Sequence, residues 1–358
     1  MPTLFDSITV GKLSLPNRIF MAPLTRARAS RDFVPTPIME TYYRQRVSAG
    51  LIISEATGIS RQGLGWPFAP GIWSDEQVEA WKPIPQAVHE GGGHIFLQLW
   101  HMGRLVHPDF LGGEAPVSAS ATTAPAHAHT YAGSQSYAQA RPLSVDEIPG
   151  LIEDYRRAAR NAIAAGFDGV QIHAANGYLI DQFLRDGSNH RDDAYGGSPE
   201  NRARLLLEVT RAVADEIGSE RTAVRLSPNG DSQGVIDSDP ETLFALVARE
   251  LGRIGIAFLE LRQTYPDGNF GSTDQPIQSP VIRANFSGVL VLNSEYTLER
   301  AQEDLANGRA DAISFGRPFI SNPDLPFRLQ SGADLVPDNM ATWYSQGNEG
   351  YVDYAAAG

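Results

Sequence analysis

The sequence predicts an α/β chain folded as a (β/α)8 TIM barrel. Three observations carry this. Short apolar, largely β-branched runs recur eight times, helix-patterned stretches separate most of them, and the two longest aperiodic segments each follow a strand. A parallel sheet covered on both faces needs near-continuous apolar strands. Strand–helix alternation implies βαβ units, and eight of them favour closure over an open sheet. The 358 residues are long for one domain, yet such barrels run past about 250 residues as a single unit. One domain over 1–358 is therefore expected.

Residues 1–17 come first, and within them 5–16 (FDSITVGKLSLP) alternate about Gly11-Lys12 and read as an N-terminal β-hairpin. The strands follow at 18–24 (RIFMAPL), 51–56 (LIISEA), 94–100 (HIFLQLW) and 169–174 (GVQIHA). The remaining four are 222–227 (TAVRLS), 257–262 (AFLELR), 289–293 (VLVLN) and 310–315 (ADAISF). Helical patterns occupy 36–48, 75–89, 146–165, 199–217, 240–253 and 295–307. Capping chemistry marks two of their starts: Ser74 precedes Asp75 and Glu76, and Ser144 stands three residues before Glu147.

Residues 104–142, rich in Ala, Ser, Thr, Pro, His and Gly, show no clear period, and 263–287 form a second long connection. Loops of that length in a compact domain are usually lids or binding elements. Following strands three and six, both belong at the C-terminal mouth, where this fold builds its active sites.

The net charge of −13 argues against nucleic acid and anionic membranes as partners. It leaves room for a phosphorylated cofactor, which backbone N–H groups can bind locally. Zero cysteines exclude disulfides, thiolate zinc sites, thiol nucleophiles and iron–sulfur clusters. No secretory pattern and no run of about 18 apolar residues is visible, so a cytoplasmic location is expected.

In a barrel the polar residues at strand C-termini matter most. Here they are Thr25, Glu55 and Thr57, Gln98 and Trp100, then His173, Asn176 and Tyr178, then Arg225, Asn293, Gly316 and Arg317. Any one alone reads as a loop hydrogen-bonder; their coincidence on one rim points to a site. No G-x-G-x-x-G follows a strand, so no dinucleotide-binding unit is indicated. His173 has no companions at metal-ligand spacing, so no metal is expected.

Long motifs run through these positions: MAPLTR, SEATGIS, APGIW, LQLWHMGR, GFDGVQIHAANGYLIDQFLRDGSNHRDDAYGGSPENR, AVRLSPNG and ISFGRPFISNPDL. With them the chain resembles the old yellow enzyme family of FMN-dependent ene-reductases, from residue 4 to residue 354. The resemblance implies bound FMN, and NADPH or NADH as a transient hydride donor. It also implies hydride transfer from flavin N5 to the β-carbon of an activated alkene: an enone, enal, imide or nitroalkene.

It implies residue roles as well. Gln98 would pair with the pyrimidine edge of the flavin, since a carboxamide offers both an acceptor and donors. Arg225 would stabilise negative charge near N1 and O2 on reduction. Thr25 would reach O4, with Pro23, Leu24 and Ala56 beside the ring. Asn293, Gly316 and Arg317 would hold the phosphate, where barrels of this kind commonly bind it. His173 and Asn176 would hold the substrate carbonyl, and Tyr178 would protonate the α-carbon. Trp66, Trp100, Phe270 and Tyr344 would wall the substrate pocket. Thr25, where one subgroup has Cys, suggests the threonine-bearing branch and a monomer or weak homodimer.

Two other classes stay open: a non-redox barrel enzyme, and a flavin-binding protein without turnover. A dienoyl-CoA reductase-like flavin barrel would need an iron–sulfur cluster, which a chain without Cys cannot ligate. The physiological substrate and the choice between NADH and NADPH are not specified by any motif.

Overall fold

Eight parallel strands close into a barrel in the computed structural model, which describes residues 1–268 and 271–357. They are β1 (Ile19–Met21), β2 (Leu51–Gly58), β3 (Ile95–Trp100), β4 (Gly169–Ala174), β5 (Thr222–Leu226), β6 (Phe258–Arg262), β7 (Leu290–Asn293) and β8 (Ala312–Phe315). Neighbours in sequence are neighbours in space, and β8 pairs β1 through Ile313 and Ile19 to complete the ring. Each expected strand is present, with ends shifted by up to three residues. β1 stops before Pro23, which has no N–H to donate to a ladder.

Side chains alternate between the two faces of each strand. Outward residues such as Ile52, Leu97, Val170, Val224 and Leu259 pack against the helices in one continuous cluster. Helix Ile148–Ala164 meets them with Tyr155, Ala158 and Ala162, and helix Pro240–Ile254 with Phe244, Val247 and Leu251. Fully burying each such Leu, Val or Phe is worth on the order of 1.5–3 kcal/mol.

Inward residues form a separate cluster at the N-terminal end: Phe20, Leu51, Ile53, Phe96, Ala223, Phe258, Val291 and Ala312. The hairpin of Ile8–Val10 and Leu13–Leu15 seals that end with Val10 and Leu15. Two residues further along the same strands the interior changes to Gln98, Arg225, Glu260 and Ser314, all buried. The barrel is thus apolar below and polar above.

The structure corrects several helix boundaries. Residues 75–89 form two helices, Asp75–Trp81 and Pro83–Glu90, because Pro83 cannot continue the first. Ser74 caps the first as expected, accepting from the Gln77 N–H at 3.3 Å. Residues 104–142 are not structureless: they hold an antiparallel hairpin, His127–Thr130 with Gly133–Ser136, and a short pair, Val117–Ser118 with Arg141–Pro142. Residues 263–287 include helix Ser279–Asn285. Among the described residues no helix is long and apolar enough to cross a membrane.

Candidate active site

A cavity of about 600 Å³ opens at the C-terminal mouth of the barrel. The extended segment after β1 brings Pro23, Leu24 and Thr25 to one side of it, and Ala56 and Gln98 come from β2 and β3. Ala56 faces the cavity because the β2–β3 register shifts between Ile53 and Ala56. That shift turns Glu55 the other way, where the Tyr43 hydroxyl donates to its carboxylate at 3.3 Å and the Arg26 N–H at 3.5 Å. Burial pushes the Glu55 carboxyl up to about 7. Glu55 is therefore not part of the rim, and Thr57, whose hydroxyl donates to the Glu55 carbonyl, is buried beside it.

His173, Asn176 and Tyr178 lie together at the end of β4. The turn between them is tight: Asn176 and Gly177 both have positive φ, 59° and 78°. The Asn176 N–H donates to Ser227 Oγ at 2.7 Å and the Gly177 N–H to Asp181 at 2.9 Å, which locks the turn. The imidazole of His173 is held neutral, its pKa pressed down first by burial and then by Arg225. A backbone N–H, from Ala175, points at His173 Nδ1 at 3.4 Å, which places the remaining ring proton on Nε2. Tyr178 is edge-on to His173, with ring centroids 4.8 Å apart. Burial raises the phenol pKa above its ordinary value, so Tyr178 stays protonated.

The neighbouring strands are basic, beginning with Arg225, which pairs in register beside His173. Arg225 on β5 donates to Asn293 Oδ1 at 2.8 Å, and Asn293 Nδ2 donates to the Ser314 carbonyl. Gly316 and Arg317 line the same side, although the Arg317 guanidinium also contacts Asp338 at 3.4 Å. The outer wall is aromatic: His129 of the hairpin packs on Trp66, and Trp66 on Tyr344 at 5.2 Å.

Two expected wall residues are placed differently or not at all. Trp100 is buried and does not line the cavity; its ring meets Tyr178 edge-on at 5.0 Å, so Tyr178 stands between it and the opening. Phe270 lies outside the described residues. The sequence reading also passed over several groups. Arg262 lines the cavity, its pKa lowered to about 10 by burial and by Arg225. Arg26 and Arg28, inside and just past the quoted MAPLTR motif, donate to the carbonyls of Thr342, Trp343 and Gly350 and so clamp the C-terminal segment that carries Tyr344. Their chain distance from that segment hides the contact in sequence.

Residues 3–335 match the model of the NADH:flavin oxidoreductase / NADH oxidase family. The chain belongs to that family. A solved old yellow enzyme homologue from Zymomonas mobilis is 61% identical, covers 99% of both chains and superposes with a TM-score of 0.98. Morphinone reductase is 45% identical over 99% of this chain and 96% of its own, with a TM-score of 0.95. Among curated proteins, chanoclavine-I aldehyde reductase of Penicillium roqueforti is 45% identical over 99% of this chain and 96% of its own. The protein is thus an FMN-dependent, NAD(P)H-dependent oxidoreductase of the old yellow enzyme kind. Its own residues fit that cofactor: the Gln98 carboxamide and the Arg225 guanidinium line the cavity with donors suited to the polar edge of a flavin ring, and Arg317 lines it with a cation suited to a phosphate.

Proposed function

We propose that this flavin oxidoreductase is an ene-reductase acting on alkenes conjugated to a carbonyl, imide or nitro group. Bound FMN would supply the hydride chemistry, carrying reducing equivalents from NADH or NADPH to the β-carbon. The protein supplies everything else. Gln98, Thr25 and Arg225 hold the ring, with Pro23, Leu24 and Ala56 against it. Asn293, Gly316 and Arg317 hold the phosphate.

One observation favours this reading above the others: a neutral histidine with its proton on Nε2 stands beside a protonated phenol in one cavity. His173 and Asn176 can donate to the oxygen of an electron-withdrawing group and stabilise the charge that builds there, an oxyanion-type contribution. Tyr178 can deliver the proton that completes reduction at the α-carbon. Trp66 and Tyr344 shield the site on the solvent side. A non-redox barrel enzyme would need ligating or Schiff-base residues here, and the described lining contains no lysine.

Anaerobic absorbance of the purified protein tests this. The yellow band should bleach on adding NADH or NADPH and return on adding 2-cyclohexenone. Bleaching without return means that the oxidising substrate is not an activated alkene. Absence of bleaching with either nicotinamide means a binding protein without turnover.

A further inference from the structure

Below the cavity a chain of buried side chains crosses the barrel. Gln98 Nε2 donates to Gln171 Oε1 at 2.8 Å, and Gln171 Nε2 donates to Glu260 Oε2 at 2.6 Å. Ser314 Oγ donates to Glu260 Oε1 at 2.6 Å, and Arg225 Nε lies 3.6 Å from Glu260 Oε2. Gln98, Gln171, Glu260 and Ser314 are at most 1% exposed. A carboxylate in such a place is costly unless its acceptors are met, and here donors from β4, β5 and β8 converge on it.

The carboxylate also dictates polarity. It only accepts, so Gln171 must turn its Nε2 toward Glu260 and its Oε1 toward Gln98. Gln98 must then turn its Nε2 toward Gln171. Its Oε1 and one remaining N–H are left for the cavity. Glu260 further sets a negative charge behind Arg225, which β5–β6 pairing places directly beside it.

We propose that Glu260 is a positioning residue for the cofactor. Through Gln171 it fixes which end of Gln98 meets the flavin, and by opposing Arg225 it limits how strongly the site favours the reduced cofactor. The proposal rests on the placement of the flavin ring against Gln98 and Arg225 given above. It is separable from that placement, because Glu260 and Gln171 do not line the cavity among the described residues.

The test is the two-electron midpoint potential of the FMN holoenzyme, measured by equilibrium titration against a reference dye, with the visible spectrum recorded throughout. Glu260→Gln keeps shape and removes the charge. Its potential should rise by an amount equal to about a tenfold or larger change in the reduction equilibrium, about 30 mV for a two-electron couple. The flavin spectrum should shift as well, because a neutral amide no longer imposes one orientation on Gln171 and Gln98. A potential that is lowered, or unchanged within twofold in the equilibrium, overturns the charge role.

Gln171→Met, which keeps Glu260 and Arg225 paired, isolates the relay and serves if Glu260→Gln does not fold. It should weaken FMN affinity and alter the spectrum while moving the potential less than Glu260→Gln does. A wild-type spectrum and affinity in that variant overturns the relay. Gln98→Ala separates failure of the proposal from failure of the site. If it too leaves spectrum and affinity unchanged, the flavin does not sit against Gln98 and both fall. If it changes them while Glu260→Gln and Gln171→Met do not, only the proposal falls.

Discussion

The lower and upper halves of the barrel interior are built by the same strands and do opposite things. One pleat step, two residues, separates Phe96 from Gln98, Ala223 from Arg225, Phe258 from Glu260 and Ala312 from Ser314. The lower member of each pair packs; the upper one bonds, and at Gln98, Arg225 and Ser314 also lines the cavity. Because a step of two keeps a side chain on the same face, the chain changes function without changing fold. A step of one would have sent the polar residue into the helix layer. β2 shows that outcome, since its register shift leaves Ala56 facing the cavity and Glu55 among the tyrosines outside. Damage above should therefore appear in chemistry and damage below in stability.

The largest effect should come from above, at Tyr178. Tyr178→Phe keeps the edge-on packing against Trp100 and His173 and removes the proton. Reduction by the nicotinamide should be nearly unchanged, while reoxidation by 2-cyclohexenone should fall by about 10²–10⁴-fold. A nitroalkene should suffer much less, because its reduced anion is stable without protonation on carbon and can leave as a nitronate. Stopped-flow measurement of both half-reactions decides this. Equal losses for enone and nitroalkene would mean that Tyr178 positions the substrate and another group is the acid.

Below the polar layer, Phe258 is fully buried, edge-on to Phe20 at 5.9 Å and tilted against Phe96 at 5.7 Å. Phe258→Ala removes the shared partner of both rings and should cost about 3–5 kcal/mol of stability. Chemical denaturation should show the lower midpoint. The flavin spectrum and both half-reactions of the folded fraction should match the wild type. A changed spectrum would mean that the two layers are mechanically coupled and that the one-step division is too simple.

β2 supplies the next test. Glu55 titrates near 7 in the fold against an ordinary carboxyl near 4.5, so the folded state holds the proton more tightly. Its contribution is fully present below about pH 4.5 and is lost as pH rises through 7. The loss is on the order of 3 kcal/mol. Glu55→Gln cannot titrate there. The denaturation midpoint of the wild type should therefore drop more between pH 5 and pH 8 than that of the variant. Parallel profiles would mean that Tyr43 and the Arg26 N–H hold the carboxylate ionised.

How much of this was legible in sequence follows from the same geometry. All eight strands were visible because burial on both faces leaves apolar runs such as TAVRL and FLELR. The helix break at Pro83 was also written there, and passed over within an otherwise periodic 75–89. The hairpin at His127–Ser136 was not, because its strands are four residues long and mostly polar, the first buried only at Ala128 and Thr130 and the second at no residue. Gln98 and Arg225 were legible as polar residues embedded in apolar strands. Glu260 and Gln171 carry the same signal, two residues past Phe258 and Gly169, but the family resemblance implies ring contacts for Gln98 and Arg225 and none for these two, which do not line the cavity. Trp100 was misplaced because alternation tells the face and not the depth, and Tyr178 occupies the space in front of it.

The smallest expected effect belongs to Thr25, which lines the cavity beside Leu24 on the segment leaving β1. In the proposed role its hydroxyl donates to the flavin carbonyl and favours the reduced ring. A single hydrogen bond of this kind is worth about 0.5–1.5 kcal/mol. Thr25→Ala should therefore lower the potential by a correspondingly small amount, opposite in sign to Glu260→Gln. The sign carries more information than the size. A lowered potential makes the cofactor a poorer acceptor and a better donor, so reduction by NADH or NADPH should slow while reoxidation by enone holds steady or quickens. A packing defect has no reason to split the half-reactions in this way, and slowing of both would reject the tuning role. The double variant Thr25→Ala with Glu260→Gln sharpens the point. If the two residues act on the ring from opposite sides without touching, their shifts in potential should add, as is usual for sites without shared partners.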